Sequence, residues 1–249
     1  MRRPSQRYSD GRKGDARQAR QIRKYLSRPL SIRRGMSPLS VRGGPSSSLK
    51  RWLKSPAARW TLYFVALCPA AWWFWLGAQN RLGADPVRAF EEFLGLWAYR
   101  FLLASLLITP LRIAFSINLI VYRRVLGLLC FSYAVMHVLA YLALDLRFDF
   151  RIFGDDITKR PFLVFGMLTL LCLSPLALTS TNGAIRRLGR NWKKLHRLAY
   201  VALVTASVHF LMAFKTWHTD AALFVAFGMF LLIFRGVRSF QNPKRRRVA

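Results

Sequence analysis

Acidic residues are scarce in this 249-residue chain, where ten Asp and Glu stand against forty Lys and Arg. Histidine is scarcer, with four residues, and cysteine scarcest, with three. Each shortage narrows the chemistry. Cys68, Cys130 and Cys172 lie far apart inside apolar blocks, and no Cys-x-x-Cys occurs. A thiolate metal site is therefore not expected, and the three read as small buried hydrophobes. The chain has no Gly-x-Gly-x-x-Gly after a strand pattern, no P-loop and no Gly-x-Ser-x-Gly. Dinucleotide-binding, phosphate-binding and serine-hydrolase motifs are thus missing.

Long apolar blocks, by contrast, are abundant. The chain is 53% hydrophobic, and from Ala57 onward the apolar residues fall in runs near the length of a bilayer span, with charges between them. A hydrocarbon core of about 30 Å takes about 20 helical residues. Six spans follow: Trp60 to Ala78, Phe93 to Leu111, Val125 to Leu144, Pro161 to Leu178, Leu195 to Phe214, and Ala221 to about Val237. The apolar run of the sixth stops at Phe234, so Arg235 is expected to snorkel to the interface. Ile113 to Tyr122 is apolar but too short to span and reads as an interfacial helix. The expected fold is all-α, a polytopic bundle of six transmembrane helices over residues 55–240.

The net charge of +30 could point to nucleic acid, but its placement favours a membrane. Residues 1–54 carry sixteen Lys and Arg against Asp10 and Asp15, are rich in Ser, Gly and Pro, and have no apolar period. They read as a disordered basic cytoplasmic tail with affinity for anionic lipid, and residues 241–249 as a second basic cytoplasmic tail. No folded nucleic-acid motif accompanies the charge, so no nucleic-acid partner is expected. Arg33-Arg34 is followed by Pro38 to Ser48 rather than by a hydrophobic stretch, which argues against a secretory signal. Met36 offers a later start for translation, which would leave residues 1–35 untranslated.

Loop charges set an orientation. With the N-terminus in the cytoplasm, the inner segments after the tail hold sixteen Lys and Arg and no acid. The outer side then holds eight Lys and Arg and all eight remaining acids. The rule weighs Lys and Arg, and both termini are expected to be cytoplasmic.

Ionisable side chains inside a bilayer are costly and mark function. His137 lies thirteen residues past Arg124, and His209 fifteen past Lys194, on two helices running outward. At 1.5 Å per residue both sit roughly 20 Å from the cytoplasmic edge. Two histidines at matching depth can hold one heme iron from opposite sides. Ala134, Ala140, Thr205, Ala206 and Ala213 lie on the same faces and leave room for a flat cofactor. Close packing with a histidine hydrogen bond across helices is the structural alternative.

His196 begins the fifth span, thirteen residues before His209. An ideal helix turns the two rings some 140° apart. The matching positions on the third span are Arg123 and Arg124, which cannot ligate iron. His196 is therefore open as a single ligand, a quinone or flavin contact, or a solvated residue. His218, in the short outer loop from Lys215 to Asp220, reads as a solvated histidine or a partner contact. Arg100 lies about 10 Å below the outer edge of the second span and needs an anion. A heme propionate and the pair Glu91 and Glu92 are equal candidates. With no soluble domain for NAD(P)H, electrons must come from a lipid-soluble carrier or another protein.

Three stretches, GLWAYRFLLASLLITPLR, YRRVLGLLCFSYAVMHVLAYLALDL and DDITKRPFLVFGMLTLLCLSPLALTSTNGAIRRLGRNWKKLHRLAYVALVTASVHF, resemble the MsrQ family, formerly YedZ. The resemblance covers about Ala58 to Phe240. Its specific part is the TSTNG…RRLGR-W-LHRL-Y run. It implies a ferric-reductase-like bundle of the bacterial inner membrane that binds heme b and FMN. Electrons would pass from quinol to MsrP, a periplasmic molybdopterin enzyme that reduces oxidised methionine in proteins. The family's histidines fall on His137, His196 and His209. Related NADPH oxidases carry a second ligand low on the third helix, where this chain has arginine. A stand-alone reductase of metal or quinone, and a transporter with a histidine proton relay, are the competing readings.

The orientation is tested with fusions. A periplasmic reporter joined after Asp149 is expected to be active and one joined after Arg190 silent; the opposite pattern would overturn the depth argument.

Overall fold

The computed structural model describes residues 55–115, 119–213 and 219–241, and these form helices with no strand among them. Six helices are long and apolar enough to cross a membrane. The chain is a multi-pass membrane protein. In order, α1 spans Pro56–Ala78, α2 Pro86–Ala114, α3 Ile120–Ala140, α4 Phe150–Lys159, α5 Pro161–Leu178, α6 Asn182–Leu188, α7 Arg190–Leu195, α8 Leu198–Ala213 and α9 Thr219–Gln241. His218 lies outside the described residues, as do both basic tails.

Local chemistry starts these helices where it should. Pro56, Pro86 and Pro161 occupy the first turns of α1, α2 and α5, where a missing N–H costs nothing. Ser55 accepts from the Ala58 N–H at 3.2 Å, Asp85 from the Arg88 N–H at 3.0 Å, and Thr181 from the Ala184 N–H at 3.1 Å. Gly189 separates α6 from α7 at φ 49°, a conformation that costs a side-chain-bearing residue more.

The bundle is built from two antiparallel helix pairs, α2 with α3 and α5 with α8, closed by α1 against the first pair and α9 against α8 and α2. Leu94, Leu129, Tyr133, Ala202, Leu203 and Leu231 lie at its centre, almost without exposure. Interior hydroxyls are paired, as a medium without water requires. Tyr99 and Ser207 share a hydrogen bond of 2.8 Å between α2 and α8, and Thr169 and Thr205 one of 2.8 Å between α5 and α8. Tyr133 donates to the Ala66 carbonyl, tying α3 to α1. Outward positions are apolar and bare, as with Phe64, Leu171 and Ile233. One end of the bundle carries Asp85, Glu91, Glu92, Asp145, Asp149, Asp155 and Asp156; the other carries Arg112, Arg123, Arg124, Arg186, Arg187 and Arg190. They are called the acidic and basic ends below.

Three expectations change. The described part of Ile113 to Tyr122 is not a separate helix: Ile113 and Ala114 finish α2, and Ile120 to Tyr122 begin α3. A short apolar run has no period of its own to distinguish it from the ends of its neighbours. The amphipathic helix of the loops is instead α4, with Phe150 and Ile152 exposed and capped by Asp149. It follows a π-helical turn, Tyr141–Asp145, and two left-handed residues, Arg147 at φ 47° and Phe148 at φ 62°. The fifth span holds, as the stretch Arg190–Ala213, but it carries a two-residue turn at His196 and Arg197 between α7 and α8. Arg235, finally, does not reach outward. It donates to the Tyr200 hydroxyl at 2.6 Å, the Leu106 carbonyl at 2.9 Å and Thr109 Oγ1 at 2.6 Å. Three acceptors within the bundle hold it in place of interfacial water.

Burial predicts how truncations rank. Leu203, at 0% exposure, becomes a cavity in Leu203→Ala and should cost about 2–5 kcal/mol. Leu171, at 69%, faces outward, and Leu171→Ala should stay within about 0.5 kcal/mol. Thermal unfolding of the purified protein in detergent measures the difference, and equal losses would contradict this packing.

Candidate functional site

His137 on α3 and His209 on α8 face each other near the acidic end, with ring centres 6.2 Å apart and planes at 78°. Both are partly buried and line one cavity of about 670 Å³. The walls between α2, α3, α5 and α8 are largely apolar, with Ala134, Leu170, Ala206 and Ala213 among them.

Each ring is held by its far nitrogen. His137 Nδ1–H donates to the Glu91 backbone carbonyl at 2.9 Å, and His209 Nδ1–H to the Phe162 carbonyl at 2.7 Å. A nitrogen facing a carbonyl must carry the proton, so Nε2 keeps its lone pair. Fixing the tautomer and ring direction through the other nitrogen is the usual support of a metal-binding histidine.

The same construction occurs twice. Four residues after Glu91 stands Gly95, and four after Phe162 stands Gly166. A methyl group at Gly95 would come within 3.3 Å of His137 Cε1, and one at Gly166 within 2.9 Å of His209 Nδ1. The fourth residue along a helix stands over the carbonyl, so only glycine lets an imidazole reach it. Gly95 precedes His137 by 42 residues and Gly166 precedes His209 by 43. That spacing is a sequence signal which reading the histidines alone misses.

The arrangement suits an iron between two axial histidines. A metal–nitrogen bond of about 2.0–2.1 Å, plus about 1.1 Å from nitrogen to ring centre, separates coaxial rings by about 6.3 Å. The pair stands at 6.2 Å. Among the described residues no three His, Cys, Asp or Glu gather as a metal shell. The remaining ligands would have to come from a macrocycle, and the cavity and its small-residue walls fit one.

The other named residues lie elsewhere. Arg100 stands over the rings of Trp97 and Phe224, 5.2 Å and 5.3 Å from their centres. It pairs with neither Glu91 nor Glu92 and is not on the cavity wall, whereas Arg88 and Arg160 are. Arg88 bonds Glu92 at 2.9 Å, and Arg160 approaches Asp156 at 3.3 Å. Glu91 reaches the cavity with Oε1 unpaired.

His196 belongs to a different cavity, of about 1170 Å³, at the basic end. Its Nδ1–H donates to the Trp192 carbonyl at 3.2 Å, and its ring stacks on Trp192 at 3.9 Å. Trp192 in turn donates to the Thr179 carbonyl at 3.1 Å. No second histidine lines this cavity among the described residues.

Residues 94–207, from within α2 to within α8, match the family described as the ferric reductase like transmembrane component. The matched segment takes in α3 with His137 and α5, and stops two residues short of His209. Nearer relatives narrow this. The protein-methionine-sulfoxide reductase heme-binding subunits MsrQ of Brucella ovis, Brucella canis and Brucella suis are each 47% identical over 186 residues, which is 75% of this chain and 84% of theirs. The chain belongs to the MsrQ family.

Proposed function

We propose that this protein is a membrane cytochrome b, with His137 and His209 as the two axial ligands of one heme b. The observation that carries the reading is the pair of imidazoles 6.2 Å apart, each anchored at Nδ1 to a backbone carbonyl. Membership of a family whose named members are heme-binding subunits supports it. When bound, the heme supplies a one-electron carrier. Two protein ligands leave its iron no open position, which suits electron transfer rather than oxygen activation. The bundle's part is to hold both rings, exclude water through its apolar walls, and keep Nε2 unprotonated. Arg88 and Arg160, at the acidic end of the cavity wall, are better placed than Arg100 to meet heme propionates.

The proposal sets the acidic end toward the periplasm of a bacterial inner membrane, with both termini cytoplasmic. The heme then lies in the outer half, near a soluble periplasmic partner. That partner is a molybdopterin methionine sulfoxide reductase, MsrP, where oxidised methionine would be reduced. Electrons would come from the quinol pool, entering near His196. FMN joins the proposal through the family resemblance alone.

Two variants test the ligands. His137→Ala and His209→Ala should each abolish the same low-spin heme signal and all electron delivery to the partner. Gly166→Ala, which crowds His209, should reduce retained heme. A normal low-spin spectrum at normal abundance in either histidine variant would mean that the two do not share an iron.

His196→Ala gives a separate outcome. It should keep heme and lose turnover with quinol. Complete heme loss with an intact fold would make His196 a ligand of the only heme and would refute this part of the proposal.

A further inference from the structure

The basic-end cavity holds a charge excess that nothing in it balances. Arg123, Arg124, Lys193, Arg197 and Arg235 line it, drawn from α3, α7, α9 and the turn before α8. No Asp or Glu is among its lining residues. Polar partners inside the protein meet only part of the need. Arg124 donates to Asn182 Oδ1 at 2.8 Å, and Arg235 to three neutral acceptors, with its Nε buried and unpaired. Neutral acceptors satisfy donors without cancelling charge. Arg123 and Arg235 are half-buried and Arg124, Lys193 and Arg197 exposed, so the pull on an anion is strongest beside the half-buried pair and screened by solvent at the others.

Shape and surroundings say which anion. The cavity is about 1170 Å³, too large for a halide alone. Apolar Ile120, Ile185, Leu176 and Leu232 stand beside the cations, and Ile120 and Ile185 are exposed. Tyr200 adds a hydroxyl to the wall that accepts from Arg235, while Ser105 and Ser180 give their protons to the Arg123 and Leu176 carbonyls. Helix α3 begins here, and among the described residues no side chain caps its N-terminus. Guanidinium forks, hydroxyls and free helical N–H groups are the recognised donors to phosphate oxygens. Basic pockets between membrane helices bind anionic headgroups by this chemistry.

We infer that the basic-end cavity is a binding site for a phosphate-bearing group, gripped by Arg123, Arg197 and Lys193 with Arg235 behind them. Phosphate is the shared chemistry of two sources: the headgroup of an anionic phospholipid and a soluble phosphate ester. The inference uses none of the proposed heme ligands, but it shares its cavity with His196, where the proposed quinol entry lies.

The test uses full-length protein in an uncharged detergent, with native mass spectrometry as readout and the heme spectrum recorded on each sample. Phosphatidylglycerol and phosphatidylcholine form one arm; FMN and inorganic phosphate form the other. Selective retention of phosphatidylglycerol over phosphatidylcholine identifies a lipid site. Binding of FMN competed by inorganic phosphate, without lipid selectivity, identifies a soluble ester. In either case Arg123→Gln with Arg197→Gln should weaken binding at least about tenfold, as loss of charge-assisted contacts does. Arg186→Gln with Arg187→Gln, exposed residues of α6 outside the cavity, should leave it unchanged. If the first variant fails to accumulate, Arg123→Lys with Arg197→Lys keeps the charge and should retain binding in part. Equal retention of both lipids with no ester bound overturns the inference, and so does wild-type binding in the Gln variant. Neither result touches the heme spectrum, so failure here and failure of the heme proposal remain distinct.

Discussion

A histidine inside a bilayer has an N–H that no water can satisfy, and the answer to that demand organises this protein. His137 and His209 each give their proton to a main-chain carbonyl of the neighbouring helix. Such a carbonyl already accepts from the N–H four residues on, and its second lone pair takes the imidazole. Access to that lone pair is what Gly95 and Gly166 provide. Replace Gly166 with a larger residue and the His209 ring must shift, taking Nε2 with it; at Gly95 the His137 ring has to give by a few tenths of an ångström. The tautomer of each neutral ring and its direction within its own helix pair follow from this one bond made twice.

The two ends of the bundle then divide the chemistry. Acids and arginines mix at one end, where Arg88 meets Glu92 and Arg160 meets Asp156, so charge there is largely settled within the protein. At the other end cations gather without carboxylates. The interior between them is held by hydroxyl pairs such as Tyr99 with Ser207 and Thr169 with Thr205. Pairs of this kind contribute modestly each, about 0.6 kcal/mol on average in a membrane interior. Their value lies in fixing the register of α8 against α2 and α5, and with it the height of His209.

Much of this was legible in the residues. Six spans follow from block length, since a bilayer imposes one ruler on every helix. The matched depth of His137 and His209 could be counted because each helix is flanked by cations at the same end. Counting reached less far at His196, which sits at a two-residue turn inside the fifth span, so its angle to His209 departs from the ideal helical value. The destinations of Arg100 and Arg235 could not be read either. Whether an arginine meets an anion, an aromatic face or a carbonyl depends on which helix packs beside it, and a single sequence does not say. Helix α4 was hidden for another reason, since ten residues of mixed charge and aromatic side chains resemble a solvated loop until an amphipathic face is seen against α5.

The repeated glycine and carbonyl also make each helix pair a half-site complete in itself. In α2 and α3, as in α5 and α8, the earlier helix offers the carbonyl and the later one the imidazole. Nothing within a pair determines how its ring is oriented toward the other. The 78° between the ring planes is set where the two pairs meet, through packing and hydroxyl contacts. The crossing of the imidazoles is therefore a gauge of tertiary assembly. A slip of one helix pair against the other would change that angle even while both carbonyl hydrogen bonds stayed intact.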